Sequence, residues 1–149
     1  PNLRKIVYLD IPPNLYVGTQ YLKAFYGEPL KDYRQTRDMV QIGFRNDDTL
    51  EILAIAPWQI ENLDASIDML FNSSSFVEMP RFVVQNYASK VMEKSPEAAI
   101  GLVSYDNNTD ITIPPEDLPS FFPGRIFNCS HYPMYRGWCG AFMYTSISK

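Results

Sequence analysis

KIVYLD at residues 5–10, followed at once by IPPN at 11–14, decides the fold. A short apolar run that ends in an acid reads as a strand buried on both faces. Two prolines in a row cannot continue a strand ladder, whereas Pro13 suits the first turn of a helix, where its missing N–H is harmless. Leu15, Gly18, Leu22 and Phe25 then recur at helical spacing. Gly18 on that face would let the helix approach its neighbour closely, and Gly27 is a helix stop. The opening unit is therefore strand, acidic turn, helix.

Working outward, residues 28–49 are polar and charged. RNDD at 45–48 signals a turn, and Tyr33–Phe44 carries no assignable pattern. LEILAIA at 50–56 is a second apolar run, ending at Pro57-Trp58. SIDMLF at 66–71 is a third, ending at the polar cluster NSSS. Pro80 opens an amphipathic helix whose stripe is Val83, Val84, Tyr87, Ala88, Val91 and Met92, and Ser95-Pro96 closes it. AAIGLVSY at 98–105 is a fourth run, ending at DNNTD. Strands that end in polar residues and are followed by helices give the rhythm of a parallel α/β sheet. Ligands of such sheets bind outside the carboxyl ends of the strands, which places Asp10, Trp58, Asn72 and Asp106 along one edge.

Beyond residue 110 the character changes. PPEDLPSFFPG is too proline-rich for a regular strand or a long helix. RIFNCS and GAFMYTSIS read as two more strands, linked by HYPMYRGWC. Nine residues are long for a hairpin loop, and such a loop could reach over the binding edge.

The whole is one α/β domain over residues 1–149, since 149 residues with 46% hydrophobic and 20% charged side chains make one globular core. The formal net charge of −4 offers no basic groove, which argues against nucleic acid. No apolar run reaches the ~20 residues of a membrane helix. The start lacks both the layout of a signal peptide and an initiator Met, so it is expected to be processed or a piece of something longer. Cys129 and Cys139 form no CxxC pair. A disulfide is open to them, but so low a cysteine count points to a reduced, cytoplasmic setting. The glycosylation triplets at Asn72, Asn107 and Asn128 are then chance matches.

At VYLDIPPNLY, PWQI and FNSSSFVEMP the chain resembles the sugar O-methyltransferases, S-adenosylmethionine-dependent enzymes of the Rossmann-like class. Phe71 to Pro80 is the most specific part of the resemblance. It is similar to the family's fourth strand and following turn, the strand–Asp–Ile–Pro start to the second strand, and PWQI to the end of the third. The resemblance implies a mostly parallel sheet with a C-terminal antiparallel pair. It also implies that the first strand is missing, since no GxGxG turn occurs anywhere in the chain. Two strand edges would then be open in the middle of the sheet, and open edges invite pairing.

The resemblance implies methyl transfer from S-adenosylmethionine to a hydroxyl of a sugar or nucleotide-sugar. Asp10 becomes the acceptor for both ribose hydroxyls, a task that suits a two-oxygen, acceptor-only group. It could equally be an acid that favours a helix N-terminus. Ile11 would lie near the adenine. Trp58 either borders the adenine or is a partly buried structural residue. Asn72, Ser73, Ser74 and Ser75 either meet the cofactor's methionine part or the acceptor, or form a turn and capping network. Glu78 is a general base or a helix-start acid. His131, the only histidine, is placed in the aromatic linker and could take the proton of the attacking hydroxyl, or be an ordinary surface residue. DNNTD, Asp106 to Asp110, could hold a hard cation or simply turn, and no metal is assigned. Tyr132, Tyr135, Phe142 and Tyr144 could stack on the sugar, although Phe142 and Tyr144 alternate with Met143 and Thr145 as strand faces do. The alternative function is a non-catalytic α/β module that forms a homo-oligomer, or binds a partner, through its open sheet edges.

Overall fold

The computed structural model describes residues 3–105, 112–133 and 140–147. Its chain divides into two compact units, residues 1–65 and 66–149.

In the first unit the opening motif is β1 (Lys5–Leu9) and α1 (Pro12–Tyr26). Pro12 and Pro13 occupy the first helical positions, and Gly27 closes the helix at φ 63°, its N–H donating to the Lys23 carbonyl. That left-handed conformation is what a glycine supplies without cost. β2 (Leu30–Lys31), α2 (Tyr33–Thr36) and β3 (Glu51–Ile55) complete the unit. The sheet runs β1-β3-β2, all parallel, with Lys5 opposite Glu51 and Leu9 opposite Ile55. Leu15 on α1 packs with Leu30, Ile52, Ala54 and Ala56, and Ile6, Tyr8 and Leu22 flank them. α2, which the sequence left unassigned, has a capping box: Asp32 accepts from backbone N–H groups and Gln35 reaches back to the Asp32 N–H.

Two expectations are corrected here. β1 is half-buried along its length, not buried on both faces, because among the described residues it has a strand on one side only. Phe25 leaves the helical face assigned to it and is 80% exposed, while Leu15 is buried.

The second unit contains β4 (Met69–Ser73), the single turn α3 (Ser75–Glu78), α4 (Arg81–Lys94), β5 (Ala99–Tyr105), β6 (Ile126–Pro133) and β7 (Gly140–Ile147). A 3-10 helix at Pro115–Phe121 takes up the proline-rich stretch. The sheet order is β4-β5-β7-β6. β4 and β5 are parallel, and β7 runs antiparallel between β5 and β6. α4 buries Val84, Tyr87, Ala88 and Val91, the centre of the expected stripe. Full burial of a valine such as Val84 contributes about 2 kcal/mol. Tyr87 also stacks on Phe76 of α3, with ring centroids 6.0 Å apart.

Two boundaries move. The third strand lies at 69–73, not 66–71, because the ladder starts where the Ala99 N–H meets the Asp68 carbonyl. β6 continues through His131–Pro133, pairing them with Phe142, Ala141 and Gly140, so the first three residues of the expected nine-residue linker belong to the strand. Pro133 is tolerated because β6 is an edge strand. Among the described residues no helix is long and apolar enough to cross a membrane.

Candidate functional site

Each unit presents chemistry at the carboxyl ends of its parallel strands. In the first, Asp10 follows the last residue of β1, and its N–H reaches the Ile55 carbonyl at the end of β3. The carboxylate is held on both oxygens. Oδ1 accepts the Ile11 N–H at 2.8 Å and Oδ2 accepts the Tyr8 hydroxyl at 3.2 Å. Asp10 does not cap α1: the residue at the cap is Ile11, and it makes no side-chain cap bond. With Pro12 and Pro13 next in line, the first turn lacks two of the N–H donors that an acid would serve. The same lack makes this helix start a poor cradle for phosphate. Ile11 is 49% exposed beside the carboxylate.

Trp58 begins just beyond β3, in the 3-10 helix Pro57–Asn62. That helix is pinned from inside by Gln59, which sequence reasoning passed over. Its Nε2 donates to the Thr36 carbonyl at 2.7 Å and its Oε1 accepts the Ala56 N–H at 2.9 Å. Trp58 itself is 60% exposed, with the Tyr33 ring edge-on at 6.2 Å. Asp10, Ile11 and Trp58 are thus brought to one edge, an acceptor beside a large apolar face.

In the second unit the polar cluster divides its labour. Asn72 serves the turn: Oδ1 accepts the Phe76 N–H at 3.1 Å and Nδ2 donates to Ser75 Oγ at 2.6 Å. Ser73 points to the other, exposed side of β4. Ser74 stands in the left-handed region at φ 62°, and its N–H donates to the Val103 carbonyl at 2.7 Å. Its hydroxyl and that of Ser104 are buried with no hydrogen-bond partner among the described residues. Glu78 is exposed, the last residue of α3 and, as expected, just before the start of α4.

His131 is corrected from linker to strand. It sits on β6 opposite Phe142, with ring centroids 4.8 Å apart, and Phe142 is in turn opposite Ser104. Ser104, Phe142 and His131 therefore form a cross-strand row one residue from the carboxyl end of β5. Tyr144 is core: it is buried, and its phenol is pushed up to about 12 by burial and then by Cys129. The Tyr132 side chain, Tyr135, Asp106, Asp110 and Cys139 lie outside the described residues. Among the described residues no three His, Cys, Asp or Glu side chains gather as a metal-holding group. A recess of about 290 Å³ lined by Ser66–Asp68 and Lys94–Ala98 lies at the amino ends of β4 and β5, away from this chemistry.

No protein-family model matches the chain, and no curated protein matches it.

Proposed function

We propose that the chain is part of a Rossmann-like, S-adenosylmethionine-dependent O-methyltransferase acting on a sugar or nucleotide-sugar hydroxyl. The observation that carries it is the order β4-β5-β7-β6 with β7 reversed between parallel neighbours. A C-terminal antiparallel pair appended to parallel strands is what the resemblance implies. Among the described residues each unit, taken by itself, also has an edge strand without a partner on its outer side, β1 in the first and β4 in the second, and these are the strands beside which the resemblance lacks one.

The residues fit the nucleoside part of the cofactor. Asp10 retains lone pairs on both oxygens after its two internal bonds, so it can accept two ribose hydroxyls. Trp58 and Ile11 offer apolar surface at the same edge, and the donor-poor start of α1 suits an uncharged sugar better than a phosphate. In the second unit, taken by itself, Ser74 has a buried hydroxyl without a partner among the described residues, beside Asn72 and Ser73, the residues that the resemblance assigns to the methionine part. The bound cofactor supplies a methyl group on a positively charged sulfur. The acceptor hydroxyl must lose a proton as it attacks, and His131 is the proton acceptor in this assignment, with Glu78 the second candidate. Reduced cysteines, such as the exposed free Cys129, fit a cytoplasmic setting.

Calorimetric titration of the chain with S-adenosylhomocysteine tests the assignment. Saturable binding is expected, and Asp10→Ala should abolish it. A folded protein that shows no heat of binding removes the cofactor site.

A second function draws on a different observation. Met69 and Phe71 are 56% and 59% exposed on an edge strand, as a module that associates through its sheet edge would present them.

A further inference from the structure

Tyr8 and Asp10 are two residues apart on one chain segment, so their side chains fall on the same side of the β1 line. The Tyr8 hydroxyl donates to Asp10 Oδ2 at 3.2 Å and to the Asn14 carbonyl at 3.1 Å. One proton serves two acceptors, one on the acidic turn and one in the first turn of α1. The ring reaches that place by crossing Gly18. A Cβ on residue 18 would stand 2.2 Å from the Tyr8 hydroxyl oxygen and 2.5 Å from the ring carbon that carries it. Glycine at 18 is therefore the condition for the tyrosine to sit where it does, a more specific role than close helix packing. The hydroxyl stays protonated throughout the neutral range, because burial and then the Asp10 charge push its pKa up to about 12. Prolines at 12 and 13 leave the Ile11 N–H as the backbone group that holds Asp10, on the opposite oxygen.

We propose that Tyr8 is a positioning residue for the Asp10 carboxylate, fixing it to receive the two adjacent hydroxyls of a ribose, and that Gly18 exists to admit it. The inference deepens the cofactor assignment above and rests on it. Two bonds, one per oxygen, stop rotation of the carboxylate and leave each oxygen one acceptor direction for an incoming diol. Without Tyr8 the group would be tethered on one side only.

The test is calorimetric titration of the full chain, unmodified and as Tyr8→Phe, with S-adenosylhomocysteine, adenosine and 2′,3′-dideoxyadenosine. Tyr8→Phe should weaken the first two by about tenfold, the scale of a hydrogen bond to a charged group, and leave the dideoxy nucleoside unchanged. Gly18→Ala displaces the hydroxyl without removing it and should give the same split between diol and dideoxy ligands. Near-UV circular dichroism checks that each variant keeps its fold. Undiminished diol binding by folded Tyr8→Phe overturns the role of Tyr8 and leaves the cofactor assignment standing. Equal weakening of all three ligands would mean a merely structural tyrosine. If the unmodified chain binds none of them, the cofactor assignment falls and this inference falls with it.

Discussion

Ser74 holds the strained backbone of the second unit, a non-glycine residue at φ 62° with a buried hydroxyl that has no partner among the described residues. An L-residue in that region costs about 1–2 kcal/mol, and glycine does not incur it. Ser74→Gly should therefore raise stability by about 1 kcal/mol, read as a higher urea midpoint with an unchanged slope. If the hydroxyl meets a ligand, the same variant should bind S-adenosylhomocysteine more weakly, a split between stability and function that a purely structural serine would not give. The sequence made the polar cluster legible at this scale but not its division of labour. Four small polar residues at a strand end all look alike as letters. Which one caps a turn and which one is left unpartnered depends on a φ angle that no composition encodes. Tyr8 was more accessible, since a tyrosine two residues before the acid in a strand must share its side.

At the scale of elements, β3 shows why an apolar run is only part of a strand's description. Its first residue, Glu51, is 1% exposed. Oε1 accepts from Lys31 Nζ, Oε2 accepts the Arg45 N–H at 2.9 Å, and Lys5 Nζ lies 3.5 Å away. Burial alone would raise the carboxyl. The Lys31 and Arg45 hydrogen bonds and charges overcome it and hold the group below its usual 4.5. A depressed carboxylate stabilises the fold above its unfolded value, and that contribution is lost as pH falls through the folded one. Glu51→Gln should thus cost about 2 kcal/mol at pH 7, and urea unfolding should show the gap to the unmodified protein shrinking steadily below pH 4.5. The strand itself was readable from LEILAIA; its charged anchor was not, because Lys5 and Lys31 are distant in sequence and Arg45 contributes through its backbone N–H. β4 failed in the opposite way. SIDMLF looked like the strand, yet the partner's register, not the apolar letters, set its limits at Met69–Ser73.

For the molecule as a whole, the α/β class and the parallel pairs followed from the order of apolar runs and turn residues, and the antiparallel C-terminal pair was what the resemblance implied. The sequence reads as one domain, where the chain forms two compact units, and it did not say which strand edges find partners. Among the described residues β4 has none on its outer side, and it carries neither proline nor lysine to discourage one. Phe71→Lys, on the exposed face, should lower any concentration-dependent self-association seen by sedimentation velocity while leaving the far-UV spectrum unchanged. An unaltered sedimentation profile in a protein that does associate would locate the contact elsewhere. The order β4-β5-β7-β6 also bears on how the molecule is made. β7 is synthesised after β5 and β6 yet lies between them, so those two wait on the ribosome for the segment that will join them. β1, β2 and β3 of the first unit all precede β4, and a nascent chain can pair them while the second is still an unfinished sheet.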